Sequence, residues 1–499
     1  MTDLNISTPK QEDIDPALIR DFIIQINKNG INLHSLVILR NGKQAFEAYW
    51  KPYEREKTHT LFSASKSFTA IGVGFAIQDG LLDMNNRVLD FFPDKLPAPP
   101  CLNMGKMTVR NLLTMTTGFN KDPHDFPFQD RTDWIRNFLT AYVPLEPGTH
   151  FEYSTHASYM LSAIVQKVTG HTLYDYLNAK LFQPLGFQNA WWETSPQGVT
   201  TGGWGLMIRT VDFAKFGQFL LERGSYQGQR MLNESWVSEA IAKQVDTSHV
   251  ESDETEDSSD LQAGYGYQIW RCAHEDAFMA SGGFGQYSIV LPHQNAVIAV
   301  TAGGSLDGFF TLLWKYLIPA FDHKNDTSYT DRDLAKLTQK LTIPQVVGLK
   351  HDFTREKEFS GIKYMLSPNK LGFQSIRFDF DNQQPTVTFG YQNDWFTIPI
   401  GYQQWTDGVT SVPTEETDTD VSVVYEHVST TGAWQKDGRY QMITCYNQTP
   451  FYDTFNILFR RDHLLIAFHR SARFSAQTLD TVIYGTIASE LDQLKGQNQ

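Results

Sequence analysis

One amphipathic pattern near the N-terminus is the strongest structural signal in the chain. After position 60 the sequence reads LFSASKSFTA, and apolar residues then recur close to helical spacing, at Phe68, Ile71, Phe75 and Ala76. The pattern stops at Asp79-Gly80, and glycine suits the left-handed position that ends many helices. We therefore predict a helix that begins near Ser63 and ends before Gly80.

Strand-like patterns flank a helical middle region in the first two thirds of the chain. Residues 33–50 read as a β-hairpin, with Asn41-Gly42 as a two-residue turn. Helical patterns dominate residues 62–240, and strand-like runs return at 264–302. This order predicts an α/β (α+β) fold. A mixed-order antiparallel sheet, shared by both ends of the segment, would be flanked by helices and by an inserted helical region.

The pattern changes again near residue 325. Residues 326–345 read as a linker with a short helix, and from residue 360 onward short aromatic, strand-like runs alternate with turn residues. Their regular spacing predicts a small antiparallel β-barrel or sandwich. We therefore expect a first domain at 1–325, the linker at 326–345, and a β-rich accessory domain at 346–499. The accessory domain would cover the first domain, shape its site entrance, or dimerise.

Composition and charge narrow the class of protein. The 499 residues are 41% hydrophobic and 20% charged, which indicates a globular chain. The net charge of −14 and the lack of basic clusters argue against a nucleic-acid partner. No apolar run approaches the roughly 20 residues that cross a bilayer, and the polar N-terminus does not read as a secretory signal. We expect a cytoplasmic protein with no membrane partner.

The cysteines and histidines give no sign of a metal site or a cofactor. Cys101, Cys272 and Cys445 are odd in number and far apart, which suits a reducing compartment better than a disulfide framework. The 14 histidines include no His-Glu-x-x-His motif. We expect no metal and no cofactor, so the chemistry would come from side chains and water.

A serine and a lysine three residues apart at the predicted helix start carry the candidate chemistry. Ser63 and Lys66 would share one helix face, so that the lysine amine can take the serine proton and make the hydroxyl nucleophilic. Amides at the helix N-terminus would favour a developing oxyanion. A second Ser-x-x-Lys, at 367–370, contains Pro-Asn and reads as a loop. An ordinary serine cap is the alternative reading of Ser63.

Two further segments offer groups that such a reaction needs. Tyr153 lies between a Pro-Gly turn and a helical run, where its hydroxyl can carry a proton. The glycine-rich segment Ala280–Tyr287 leads into a strand, and its glycines let the backbone approach a ligand and offer an amide to an oxyanion. Taken singly, each segment is better explained by an ordinary feature, a packed tyrosine in the first case and a glycine-rich turn in the second.

Six segments follow one another in a recognisable order: LHSLVILRNGKQAFEAYW, SASKSF, MTVRNLLTMTTGF, PLEPGTHFEYST, GGWGLMIRTVDFAKFGQFLL and ASGGFGQYSIVLP. In this order, over roughly residues 15–320, the chain resembles the serine β-lactamase and penicillin-binding-protein superfamily. The most similar part of it is the class C-like branch with esterases, D-amino-acid peptidases and 6-aminohexanoate-dimer hydrolase. The resemblance implies that Ser63 is the acylated nucleophile, Lys66 its base and Tyr153 a proton shuttle. The amides of Ser63 and Gly283 would form the oxyanion hole.

Two positions depart from the pattern of that superfamily. Where it has Tyr-x-Asn, this chain has Tyr153-Ser154-Thr155, and where it has Lys/His-Thr-Gly, this chain has Ala280-Ser281-Gly282. The second change removes the cation that anchors a substrate carboxylate. Both changes favour an esterase or amidase over a β-lactamase or a D-Ala-D-Ala carboxypeptidase.

The sequence therefore predicts a serine hydrolase that cleaves a small ester or amide through an acyl-enzyme. The residues expected to bind the substrate are Ser281, Gly282, Thr155 and Trp204. Two alternatives stay open: a penicillin-binding D-Ala-D-Ala carboxypeptidase or β-lactamase, and a non-catalytic binding module on the same fold.

Overall fold

The computed structural model describes residues 4–96, 100–120, 132–250, 258–304, 306–322, 328–349, 351–380, 384–410, 415–416, 422–423, 427–471 and 479–487. The chain divides into a first unit, residues 1–50 with 54–341, and a second unit, residues 51–53 with 342–499. The domain limits at 325 and 346 stay a prediction. The short helix expected between them lies at Asp331–Thr338, in the first unit.

A seven-stranded sheet forms the centre of the first unit. In spatial order its strands are Asn5–Ile6, Lys43–Tyr49, Leu33–Arg40, Ala296–Ala302, Gln286–Leu291, Phe278–Gly282 and Trp270–Arg271. Neighbouring strands are antiparallel except for the first pair, which is parallel. The early hairpin and the late strands share this sheet, as the sequence predicts, because Leu33–Arg40 pairs with Ala296–Ala302.

Local sequence explains the turn of the early hairpin and the burial of its first strand. Asn41 and Gly42 have φ values of 53° and 73°, the left-handed conformation that both central residues of a type I′ turn require. Leu36, Val37, Ile38 and Leu39 are each 0% exposed. Since consecutive strand residues point to opposite faces, both faces of the sheet are covered here, and this strand lies in the core.

Helices make up most of the rest of the first unit. The α-helices are Pro16–Lys28, Ser65–Gln78, Val109–Leu113, Trp134–Thr140, Thr155–Thr169, Leu173–Leu177, Thr210–Leu221, Glu234–Ile241, Ser258–Leu261, Phe309–Leu312, Ile318–Asp322 and Asp331–Thr338. A small second sheet orders His59–Thr60, Leu206–Ile208 and Trp191–Trp192. Among the described helices, none combines the length and apolar character that a membrane crossing needs.

The helix predicted near Ser63 is present. A 3₁₀ turn, Phe62–Ala64, runs directly into Ser65–Gln78, and the chain leaves the helix at Gly80 with a φ of 73°. Every residue from Ser65 to Ala76 is buried, so this helix lies inside the unit rather than on its surface. A central helix gives the residues at its start a rigid support.

The second unit is a β-sheet that nearly closes on itself. In spatial order its strands are Asp394–Pro399, Thr386–Tyr391, Phe373–Asp379, Lys363–Leu366, Leu479–Ile487, His463–Arg470, Tyr452–Phe459, Tyr440–Tyr446, His427–Trp434 and Gly401–Tyr402, and Thr406–Val409 also pairs with His427–Trp434. A Cβ on Gly408 would lie 2.7 Å from Pro399, so the two ends of this order meet. Of the two predicted forms, a β-barrel or a sandwich, the structure has a nearly closed, barrel-like sheet. A helix, Phe353–Phe359, precedes the strands.

Candidate active site

Ser63 lies on the tight turn that begins the buried helix. Phe62, directly before it, has a φ of 46°, which is rare for a bulky side chain and marks a turn that its surroundings hold in place. The Oγ of Ser63 lies 3.1 Å from the Nζ of Lys66. The three-residue spacing thus brings the hydroxyl and the amine within hydrogen-bond reach, as the sequence predicts.

Acceptors from three parts of the chain surround the buried amine of Lys66. The residue is 1% exposed. Its Nζ lies 3.1 Å from the Ser63 Oγ, 3.2 Å from the Thr155 Oγ1 and 2.8 Å from the carbonyl oxygen of Gly203. A buried amine needs such partners, because leaving its N–H groups unbonded costs free energy. The arrangement fixes the amine beside the serine hydroxyl.

Tyr153 and Thr155 reach Lys66 from the start of a second helix. Thr155–Thr169 begins after Ser154, whose hydroxyl accepts a hydrogen bond from the amide three residues on, at 3.3 Å. This N-cap contact fixes the start of the helix. It places the Thr155 hydroxyl on Lys66 and the Tyr153 ring centroid 4.9 Å from the Lys66 Nζ. The structure therefore brings both residues to the serine–lysine pair.

Aromatic rings pack around Tyr153. Trp270 stacks on it with ring centroids 5.7 Å apart and an interplanar angle of 27°, and Tyr265 meets it edge-on at 6.3 Å. Burial raises the pKa of Tyr265 well above its ordinary value, so this phenol stays protonated. The packing limits the movement of the Tyr153 ring beside the amine.

The glycine-rich segment lies directly against the turn that carries Ser63. A Cβ on Gly282 would come within 2.0 Å of the carbonyl oxygen of Leu61, so only glycine fits at this close approach of two backbones. The rings of Phe62 and Phe284 meet edge-to-face, with centroids 5.2 Å apart. The end of the strand Phe278–Gly282 is therefore part of the same site.

Two backbone amides predicted to act together lie on these two segments. The N–H groups of Ser63 and Gly283 make no hydrogen bond to another described residue. Unengaged amides near a nucleophile are the donors that stabilise a developing oxyanion. Ser281, two residues before Gly283, is half-buried on the strand Phe278–Gly282.

Gly282→Ala is expected to destabilise the first unit by about 1–3 kcal/mol, because its methyl group would push apart two packed backbones. Gly283→Ala is the matched control: a Cβ there meets nothing within 4 Å, and the residue does not need a left-handed φ. Thermal melting of the full chain should show a lower Tm for the first variant and an unchanged Tm for the second. Equal melting temperatures would contradict the close approach at Gly282.

Trp204 lies next to the carbonyl that holds the lysine. Its indole N–H donates to the Glu193 Oε2 at 3.2 Å, and its ring centroid lies 6.2 Å from that of Trp134. The residue is half-buried. That Trp204 binds substrate stays a prediction.

The Gly203 carbonyl contact and the left-handed φ of Phe62 were not predicted from the sequence. A backbone carbonyl carries no residue-type signal, although the run GGWG does mark a place where backbones approach closely. A Cβ on Gly203 would lie 2.8 Å from the Thr155 Cγ2. The second Ser-x-x-Lys, at 367–370, lies in the loop after Lys363–Leu366, as predicted.

Known proteins with similar sequences include hydrolases and a penicillin-binding protein. The family model named Beta-lactamase matches residues 19–316. The 6-aminohexanoate-dimer hydrolase of Paenarthrobacter ureafaciens is 25% identical over 286 residues, 53% of this chain and 71% of that protein. The N-acetylmuramyl-L-alanine amidase of Bacillus subtilis (strain 168) is 26% identical over 221 residues, 38% of this chain. The match spans 48% of the amidase, about half its length.

Solved structures share the fold at low sequence identity. A protein assigned as a 6-aminohexanoate-dimer hydrolase from Bacillus anthracis superposes with a TM-score of 0.52 at 18% identity, over 65% of this chain and 88% of that chain. One assigned as a β-lactamase from Bacteroides dorei gives 0.50 at 17% identity, over 62% of this chain and 100% of that chain. These structures show the fold alone. The family model covers more than half of the sequence, and the predicted resemblance is confirmed. The chain belongs to the β-lactamase family.

Proposed function

We propose that this chain is a serine hydrolase that cleaves a small ester or amide through an acyl-enzyme on Ser63. One observation carries the proposal: the Lys66 Nζ lies 3.1 Å from the Ser63 Oγ while Thr155 and Gly203 hold the same amine at 3.2 and 2.8 Å. Such a contact between an amine and a hydroxyl is the requirement for an activated serine. The relatives named as hydrolases support it.

The proposed reaction has two halves. In the first, the Ser63 Oγ attacks the substrate carbonyl carbon while its proton passes to the Lys66 amine. The bond to the leaving group then breaks, and the leaving alcohol or amine takes a proton through the Tyr153 hydroxyl. In the second half, water attacks the acyl-enzyme and gives a proton to the same groups. The acid leaves, and Ser63 is restored as the hydroxyl.

Backbone and side-chain groups around the pair would position the substrate. We assign the oxyanion hole to the amides of Ser63 and Gly283, since both are unengaged within the described residues. Ser281, Gly282, Thr155 and Trp204 are proposed to line the substrate. The proposal for Thr155 rests on the contact between its hydroxyl and the Lys66 amine, because a residue beside the proposed base also lies beside the bound substrate.

A neutral acyl group is the proposed substrate class, because Ala280 stands where a cation would anchor a carboxylate. We expect kcat/KM for p-nitrophenyl acetate to exceed kcat/KM for nitrocefin, which carries a carboxylate, by at least about 100-fold. The reason is that the nitrocefin carboxylate finds no cation at Ala280, so this substrate lacks both the charge-assisted contact and the orientation that the contact would give it. Parallel absorbance assays on one preparation measure both values. A faster reaction with nitrocefin would revive the β-lactamase and carboxypeptidase alternative.

Labelling with a fluorophosphonate tests the function. One adduct per chain is expected in the intact mass, and fragmentation of the peptide that contains SASKS should place it on Ser63. Its neighbours are internal controls: the Ser65 hydroxyl accepts from the Leu206 amide at 3.2 Å, and the Ser67 hydroxyl donates to the Gln268 carbonyl at 2.6 Å. Both are buried, so neither should react.

Two outcomes would change the proposal. An adduct on any serine other than Ser63 would assign the nucleophile to that serine instead. No adduct on folded protein, with no ester turnover, would overturn the hydrolase and favour a binding module on the same fold.

A further inference from the structure

The loop that holds the lysine is fastened to the central helix at three places. We call residues 201–206 the glycine loop. Three hydrogen bonds join it to the helix Ser65–Gln78, from Thr69 to the Gly202 carbonyl at 2.6 Å, from Lys66 to the Gly203 carbonyl at 2.8 Å and from the Leu206 amide to Ser65 at 3.2 Å. The position of the Lys66 amine therefore depends on the position of this loop.

Glu193 holds the glycine loop from another segment, through its backbone and its side chain. Its amide donates to the Gly205 carbonyl at 3.1 Å, and its carbonyl accepts from the Thr201 amide at 3.0 Å. Its Oε2 accepts from the Trp204 indole at 3.2 Å. The Trp204 carbonyl in turn accepts from the Thr201 hydroxyl at 2.5 Å and from the Trp192 indole at 2.6 Å. The carboxyl thus completes a network around the loop.

The Glu193 carboxyl is buried in a tightly packed place. The residue is 8% exposed, and a Cβ on Gly205 would lie 2.7 Å from the Glu193 Cβ. Among the described residues, the Trp204 indole is its one side-chain hydrogen-bond partner. Burial raises the pKa of this carboxyl to about 7. Burying an acid costs free energy, and such a group beside a reactive centre is a candidate for a functional role.

We propose that Glu193 is a positioning residue: by bonding Trp204 it fixes the glycine loop, and so fixes the Gly203 carbonyl that holds the Lys66 amine at Ser63. The inference rests on the proposed function. Glu193 acts through the loop and does not touch the reacting atoms. A displacement of about 1 Å at a catalytic group costs on the order of 10²-fold in rate.

The rate of fluorophosphonate labelling of Ser63 tests the proposal directly. Glu193→Leu removes the acceptor and Trp204→Phe removes the donor but keeps a ring. Each should slow labelling by at least about 10-fold, and the double variant should be no slower than the worse single one, because both break one contact. Glu193→Gln keeps an acceptor oxygen and should label within about 3-fold of the wild-type rate. In ester hydrolysis by Glu193→Leu the loss should fall on kcat rather than KM, because Glu193 is not among the residues proposed to line the substrate.

Tryptophan fluorescence gives a readout that does not depend on catalysis. The emission of Trp204, taken as the difference between wild type and Trp204→Phe, should titrate with a midpoint near the Glu193 pKa of about 7. The titration should vanish in Glu193→Gln. The segments that pack around Glu193 and Trp204 carry other ionisable groups, namely Tyr159, Tyr174, Lys66, His59, and Asp133 with its partner Lys95. Burial raises the pKa of both tyrosines, away from this range.

The stability of the folded chain should also depend on the ionisation of Glu193. The pKa of Glu193 is raised from its ordinary 4.5 to about 7, so between these values the folded chain keeps a proton that the unfolded chain has released. The contribution of this group to stability therefore falls as pH rises from about 4.5 to 7. Glu193→Gln should lack this fall when Tm is compared across the window.

The outcomes separate the two proposals. If wild type does not label at Ser63, the proposed function fails. If wild type labels and Glu193→Leu and Trp204→Phe, both folded by circular dichroism, label at the wild-type rate, the positioning role fails and the function stands. Should Glu193→Leu not fold, the milder Trp204→Phe decides. Additive losses in the double variant would also overturn the shared-contact argument.

Discussion

Replacement of Ser63 by alanine is expected to lower kcat/KM for p-nitrophenyl acetate by roughly 10⁴-fold or more, the loss seen when a catalytic serine is removed. The variant keeps Lys66 and the unengaged amides, so binding survives while no acyl-enzyme can form. Because Ser63 is half-buried on a 3₁₀ turn, loss of its hydroxyl should leave the fold intact. Steady-state kinetics and fluorophosphonate labelling on one preparation measure the effect.

The second Ser-x-x-Lys supplies a matched control for this variant. Ser367→Ala removes the serine of the copy in the second unit, where its hydroxyl accepts from the Tyr484 amide at 3.3 Å. We expect it to turn over ester at the wild-type rate. Native activity in Ser63→Ala, with Tm unchanged, would overturn the nucleophile assignment.

Replacement of Lys66 by methionine has the second largest expected effect, a loss of about 10²–10⁴-fold in acylation rate, the range for a positioned general base. Methionine fills a similar volume without a proton acceptor. It also leaves the Gly203 carbonyl without its lysine partner, which costs about 1–3 kcal/mol when buried. Stopped-flow acylation and thermal melting should therefore both report a change.

A control variant at Lys215 distinguishes the loss of the proposed base in Lys66→Met from the general effect of removing a buried lysine. This lysine is also 1% exposed, and it donates to the Asp212 Oδ1 and to the Gly186 carbonyl, each at 3.1 Å. Lys215→Met should lower Tm, because the buried Asp212 carboxylate loses one of its two cationic partners and keeps only Arg209, yet it should leave acylation unchanged. If Lys66→Met and Lys215→Met lost activity to the same extent, the role of Lys66 as base would be refuted.

Local sequence was sufficient to predict the elements that frame the site. Asn41-Gly42 dictates a type I′ turn, and Gly80 ends the helix, because each needs a left-handed φ that few other residues adopt. The contact between Ser63 and Lys66 follows from helical spacing alone. These are short-range effects, so the sequence displays them directly.

The contacts that complete the site could not be predicted in the same way. The Gly203 carbonyl and the bond between Glu193 and Trp204 join segments distant in sequence, and only the tertiary packing decides which atoms meet. Thr155 shows the opposite case: it departs from the superfamily pattern, yet its hydroxyl contacts the lysine. The class C-like branch, the cytoplasmic location and the accessory role of the β-rich region stay predictions.

The partners of Lys66 set a lower limit on how much chain can form the reactive centre. Three of them lie 3, 89 and 137 residues away in sequence, and the strand that packs on the serine turn ends at Gly282. A fragment that stops before residue 203 would contain the proposed nucleophile, Ser63, without the carbonyl that bonds the Lys66 amine beside it. A short peptide built around SASKS therefore cannot reproduce the site. A chain cut between residues 155 and 203 would have to reassemble from two pieces before its serine–lysine pair regained all three of these contacts.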